Sequence, residues 1–272
     1  MADRAGSEAI GSLEAAVQLL RRTALSTLLC HWIGSAPFAL ALLLFWSDVT
    51  QYRPSSAACA EDALLLAALL PWMNCWRAVF AGRLRGQLSG QAPQRVRFWR
   101  MLTMQSFLGA LKLVGMPLAM LCIFPAAATA AFFRYSLALA GREGDGDALQ
   151  VISRAAKLAR MEQRRTWLTM ALIAVLGIAA FCNVALALML LPQLVRMLTG
   201  YESSFSRSGV HFMQNPLFPA TALVVTWLAF DPFVQAVYCV LCFRAESKET
   251  GEDLLAALAR VRRTGAMAEA VR

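Results

Sequence analysis

Ionisable side chains set inside long apolar runs are the residues of this sequence best placed to do chemistry. Asp231 stands in the run 217–243, Lys112 and Arg134 in the stretch 101–141, and Arg77 in the run 63–82. A charge in such a setting is costly to strip of water, so it pairs with an opposite charge or lines a polar path. Helical rise places Asp231 about 20 Å from the cytoplasmic edge, Lys112 about 17 Å, Arg134 about 12 Å and Arg77 about 9 Å. Asp231 is therefore expected to pair with Lys112, closest in depth, or with Arg134. Arg77 is expected to snorkel to the inner surface. With Asn74 and Asn183 these groups make a candidate polar pathway. The alternative is a static buried pair that fixes helix packing. One carboxylate and one histidine, His31, are too few for a proton relay, which favours packing.

Other reactive groups lack company. The two histidines, His31 and His211, lie on different segments, and there is no HExxH. A single intramembrane Asp cannot form an aspartyl dyad. No GxSxG elbow and no GxxxxGK loop occurs. Gly34-Ser35 has His31 on the same helical face but no third group to orient a base. Cys239 and Cys242 form one CxxC without a second pair, read as packing within the lipid. No catalytic, metal or cofactor-binding residues are assigned, no cofactor is expected, and the chain is not expected to be an enzyme.

The elements that carry these residues follow from composition. Of 272 residues, 58% are hydrophobic and 16% charged, with a mean hydropathy of +0.53. Soluble domains sit nearer half apolar and a quarter charged. These values exclude a disordered chain and a secreted disulfide scaffold, and leave an all-α polytopic membrane protein. Six of the seven cysteines lie inside apolar runs.

A crossing needs about 20 mostly apolar residues. Runs 24–46, 63–82, 167–191 and 217–243 each supply one, and 101–141 has the length of two joined by a tight turn near Phe124-Pro125. The first run follows Arg21-Arg22 like a signal peptide, but its length predicts a retained helix. Asp231-Pro232 predicts a break or tilt in the last run.

Six crossings with the N-terminus inside put pieces 1–23, 83–100, 142–166 and 244–272 in the cytoplasm. They hold 3, 5, 6 and 6 Lys/Arg, against three in the outer pieces: Arg53, Arg196 and Arg207. Such asymmetry sets orientation and predicts an N-in/C-in protein. It also explains the net charge of +9 without nucleic acid. A single crossing at 101–141 would move six basic residues outside, so two crossings, or a re-entrant pair, are expected there. Trp46, Trp99 and Trp167 fall at run boundaries, the headgroup level such rings favour. The chain reads as one integral membrane domain: a cytoplasmic segment 1–23, a six-helix region 24–243 and a cytoplasmic tail 244–272.

Three cytoplasmic stretches have the period of amphipathic helices. The first carries Ile10, Leu13, Val17 and Leu20. The second, 147–165, sets Arg154, Lys157, Arg160 and Arg164 along one face beside Val151, Ile152, Ala155, Leu158 and Ala159. The third, after Thr250-Gly251-Glu252-Asp253, carries Leu254, Leu255, Leu258 and Val261. A helix with basic and apolar faces can lie in the headgroup layer, where each cation near anionic lipid contributes about 1 kcal/mol. The four cations are thus a candidate headgroup-facing stripe; ordinary inside-positive anchoring also explains them and is the favoured reading. In the outer segment 192–216, Leu194 to Leu198 is expected to form a short interfacial helix.

Several of these features recur together: Phe124-Pro125, Phe133-Arg134-Tyr135, Glu143-Gly144-Asp145-Gly146, the basic helix from Val151 to Arg165 entering Trp167, and then Tyr238, Arg244, Glu246 and Gly251-Glu252-Asp253-Leu254. In this the chain resembles the six-helix membrane domains attached to some bacterial glycerophosphoryl diester phosphodiesterases, and their stand-alone relatives. The likeness covers about half the chain and departs at Ala126, where a glycine often follows the proline. It implies a six-helix fold and an accessory role beside a membrane or envelope enzyme. It does not imply phosphodiesterase activity, for which the crossings leave no room. The expected function is thus a non-catalytic scaffold of the bacterial inner membrane. The expected partners are the bilayer, its anionic headgroups and a membrane protein, with no nucleic acid. The rival is a small-solute or lipid transporter using the polar groups around Asp231.

Overall fold

A computed structural model of the chain describes residues 2–51, 55–90, 98–121, 126–141, 148–161, 163–200 and 215–251, together with Leu254. Among the described residues all regular structure is helical. The helices are α1 (Ala2–Arg22), α2 (Leu25–Gln51), α3 (Ser56–Ser89), α4 (Phe98–Leu121), α5 (Ala126–Ala140), α6 (Ala148–Met161), α7 (Gln163–Thr199) and α8 (Leu217–Thr250). Five of them, α2, α3, α4, α7 and α8, are long and apolar enough to cross a membrane. The chain is therefore an all-α membrane protein.

The helices outrun their apolar runs. α3 and α8 have 34 residues each and α7 has 37, or about 50 Å and more, against a hydrocarbon core of about 30 Å. The surplus lies in extensions beyond the apolar runs: Ser56 to Asp62 and Arg83 to Ser89 of α3, Gln163 to Thr166 and Pro192 to Thr199 of α7, and Arg244 to Thr250 of α8. α7 and α8 stop at Gly200 (φ +68°) and Gly251 (φ +66°). There a left-handed residue turns its N–H back onto the carbonyl of Arg196 or Ser247.

One expectation needs correction. Leu194 to Leu198 do not form a separate helix; they are the last turns of α7, which continues through Pro192. Of the break or tilt expected at Asp231-Pro232, the break is absent: α8 continues through Pro232 as a single helix, since one missing N–H removes a single bond of a long ladder. The stretch 101–141 does hold two helices, α4 and α5, which pack together. α5 has only 15 residues, about 22 Å. The connection at Phe124-Pro125, the acidic-glycine stretch 143–146, His211 and most of the expected tail helix lie outside the described residues.

Contacts divide the chain into two compact units, and α2, α3, α7 and α8 contribute to both. The first unit comprises residues 1–34, 71–171 and 232–272. α5 is its core: Ala131, Phe133 and residues 135–140 are buried. At the end of α5 the backbone meets α3 directly. A Cβ on Gly82 would collide with the Gly141 carbonyl, and one on Gly141 with the Ala78 carbonyl. Only glycine permits that approach. Cys75 and Ala78 of α3, Met101 near the start of α4 and Leu137 of α5 share one apolar cluster. The chain thus enters by α4 and returns by α5 to the same end of α3.

α1 and α6 complete this unit. α6 buries Val151, Ala155, Leu158 and Ala159 against α5. α1 buries Ala9, Ser12, Ala16 and Leu19, whereas Ile10 and Val17 are exposed. The buried face is thus turned one residue from the most apolar one, because small side chains let α1 approach closely.

The second unit comprises residues 35–70 and 172–231. Phe38 and Trp227 meet edge to face, and Trp46 Nε1 donates to the Pro216 carbonyl at 3.3 Å. Its surface is apolar: Leu40, Leu64, Val175, Ile178 and Leu223 are all exposed.

Candidate functional site

Two groups of polar side chains stand out, both in the first unit. The first is a cleft of about 20 Å³ lined by Asn74 of α3, Gln105, Leu108, Gly109 and Lys112 of α4, and Phe133, Arg134, Ser136 and Leu137 of α5. That volume accommodates about one water-sized atom. Gln105 and Lys112 are two helical turns apart and so share a face of α4, with Gly109 between them. Arg134 Nη1 donates to Gln235 Oε1 of α8 at 2.8 Å. Gln235 is buried, as are Asn74 and Ser136. Gln105 is 2% exposed, and its Nε2 has no hydrogen-bond partner.

Of the residues expected to line a polar pathway, Lys112, Arg134 and Asn74 meet at this cleft. Asp231 is 2% exposed and lies one helical turn before Gln235 on α8. Asn183 belongs to the second unit and is exposed, its Nδ2 donating to the Ala179 carbonyl of its own helix at 2.8 Å. Arg77 is not open to a surface: it is buried at 2% exposure, and α3 continues twelve residues beyond it.

The second group lies at the polar helix ends. Glu246 of α8 is ion-paired with Arg85 of α3 and with Arg154 of α6 at 3.2 Å. Lys157 reaches Glu249 at 2.9 Å. Arg160 and Arg164 are exposed. The four cations of the stripe therefore divide: the first two meet carboxylates of α8 and the last two face outward. A further knot ties down α1, where the Ser12 hydroxyl accepts from Arg165 of α7 at 2.8 Å and from Arg244 of α8 at 2.9 Å. Arg244 also donates to the Gly11 carbonyl at 3.2 Å.

Arg85 falls in the cytoplasmic piece 83–100 of the sequence, outside the residues singled out there as site candidates. A signal for its burial exists: Ala78 and Ala81 lie seven and four residues before it, so the helical period puts Arg85 on the buried face of α3. The CxxC thiols are buried. Cys239 Sγ faces the Ala81 carbonyl at 3.8 Å, and Cys242 Sγ receives Arg85 Nη1 at 3.4 Å. His31 is buried with its ring on Phe80, centroids 5.1 Å apart.

Comparison of the chain with family models, with curated proteins and with solved structures returned no match.

Proposed function

We propose that this protein is a non-catalytic scaffold or accessory component of the bacterial inner membrane, with six crossings and both termini in the cytoplasm. The observation that carries this reading is the gathering of helix ends in the first unit. The C-terminal ends of α3, α5 and α8 and the N-terminal end of α7 are held together there with α1 and α6. That end carries most of the basic residues, so the positive-inside rule assigns it to the cytoplasm. The return of α5 to the end where α4 begins keeps the number of passages even, as two crossings or as a re-entrant pair. α1 and α6 then lie as amphipathic helices on that face. Arg160 and Arg164 of the basic stripe point outward toward anionic headgroups or a partner. The resemblance to phosphodiesterase-associated membrane domains supports a partner that is itself a membrane or envelope enzyme.

Co-purification of the full chain in mild detergent tests the reading. A stoichiometric membrane-protein partner is expected; a monomer or homo-oligomer alone overturns it. A reporter inserted beside Lys157 is expected inside the cell, and an external signal there refutes the orientation.

Transport of a small solute or lipid past the polar groups near Asp231 is the second reading, favoured by the polar lining of the cleft at Lys112 and Arg134.

A further inference from the structure

Asn183 is an amide on the outside of a membrane crossing. It lies in the uncharged run 167–191, about 24 Å along α7 from Trp167 and about 12 Å before Leu191. Its side chain is exposed and too short to reach either headgroup layer. Among the described residues its one hydrogen bond runs from Nδ2 to the Ala179 carbonyl of its own helix. The second N–H and Oδ1 are left to face hydrocarbon. Polar atoms in that setting are costly until they meet a partner.

α7 packs on α8 by a different side. A Cβ on Gly177 would touch the Phe230 ring at 3.5 Å, and Leu188 and Leu191 line one apolar pocket with Phe218. Gly177 lies about a third of a turn round the helix from Asn183. Asn183 instead shares a stripe with Leu176, Ala179, Ala187 and Leu190, at steps of 3, 4, 4 and 3, and all five are exposed. Ala179 and Ala187 flank the amide one turn to either side. Side chains that small let a second helix come within hydrogen-bond reach of it.

We propose that this stripe of α7 is the interface with a second copy of the chain, the two Asn183 amides bonded to each other across a two-fold axis. Copies inserted by one charge rule share one orientation, so the axis relating them runs along the membrane normal and sets α7 parallel to its twin. On such an axis a residue at the seam meets itself. A charged side chain would be repelled there. An amide carries both a donor and an acceptor, so it complements its own copy, Nδ2 to Oδ1 in each direction. A single Asn in an apolar helical seam sets register and copy number in this way. The proposal goes beyond the scaffold reading and does not depend on it. A dimer with no other protein bound overturns that reading and leaves this one standing.

The test uses the full chain in phospholipid vesicles. Energy transfer between donor-labelled and acceptor-labelled copies is followed as added lipid dilutes the protein. Transfer above the random-encounter level is expected. Asn183→Leu is expected to weaken association by about tenfold or more, the scale of two interhelical hydrogen bonds. Asn183→Gln keeps the amide and is expected to retain most of the association, and Ile178→Leu, off the stripe, all of it. Because Asn183 is exposed, both substitutions leave the fold of one copy intact, which circular dichroism checks. Oxidative cross-linking in native membranes gives a second readout. Ala187→Cys is expected to join to its twin, and Ile178→Cys no more than the parent chain does. Four results would each overturn the proposal. The first is transfer at the random level at every dilution. The second is parental association in Asn183→Leu. The third is equal cross-linking from Ile178→Cys and Ala187→Cys. The fourth is an Ala187→Cys chain joined only to a different protein.

Discussion

Arg85 on α3 and Glu246 on α8 stand 161 residues apart in sequence and form a buried ion pair, their side chains 2% and 1% exposed. Arg154 of α6 shares the carboxylate, so one oxygen pair joins three helices. Removing one partner of a buried pair leaves an uncompensated charge and costs about 3–5 kcal/mol. Glu246→Leu, which strands Arg85, is therefore expected to lower the unfolding temperature in detergent sharply. The double variant Arg85→Met/Glu246→Leu should recover much of the loss, because both charges are then gone. Equal stability of the single variant and the parent would contradict the pairing.

The contact between Gly82 and Gly141 makes a second prediction. Gly82→Ala and Gly141→Ala each drive a methyl into backbone that cannot yield by rotating a side chain. The expected cost is about 1–3 kcal/mol, occasionally more, visible as a lower Tm and a broadened size-exclusion peak. Gly115→Ala is the control, since its added methyl meets only the tip of the Phe133 ring at 3.9 Å.

Ser12 holds α1 through two arginines. Ser12→Ala removes the acceptor from both, and hydrogen bonds to charged groups are worth about 1.5–3 kcal/mol each. Loosened α1 should be cut faster by protease in limited digestion, at Arg21 or Arg22 if trypsin is used. Glu14→Gln, on the exposed side of the same helix, should leave the digestion rate as it was. A Ser12→Ala protein with parental resistance would show that the remaining contacts of α1, among them its small apolar residues and the Gly11 carbonyl, hold it without the hydroxyl.

Asp231→Asn separates packing from transport. If the carboxylate serves packing, the variant should accumulate to lower levels or unfold at lower temperature. Lost solute flux in a variant of normal level and stability would favour the transporter.

Much of this architecture was legible in the sequence, because apolar runs report directly on burial in hydrocarbon. The doubled helix in 101–141 followed from the length of the stretch together with charge parity, and the buried edge of α6 followed from its period. What escaped depended on partners distant in the chain. Arg85 sits among loop-like neighbours in sequence, and nothing local announces Glu246. The helix extensions of the first unit escaped because their polar residues resemble loops to any measure of hydropathy, although they are sheathed by other helices. The buried face of α1 escaped for a related reason: hydrophobicity selects Ile10 and Val17, while close approach selects Ala9, Ser12 and Ala16. In the candidate site, Lys112, Arg134 and Asn74 were visible as polar intrusions in apolar runs. Gln105 and Gln235 were passed over, although they are amides within apolar runs just as Asn74 is.

α7 is the helix of highest mean hydropathy, and only 6% of its most apolar window is buried within the protein. Away from the stripe of Asn183, its middle therefore answers to solvent quality rather than to shape. Any greasy residue should serve at Val175, Ile178 or Leu186, and drift among Leu, Ile, Val and Phe there should be silent. The same freedom ends abruptly at Arg165 and Thr166, where the helix passes into the polar knot and each atom has a neighbour to satisfy. One continuous rod thus carries two kinds of selection, permissive along its greasy length and strict at its foot.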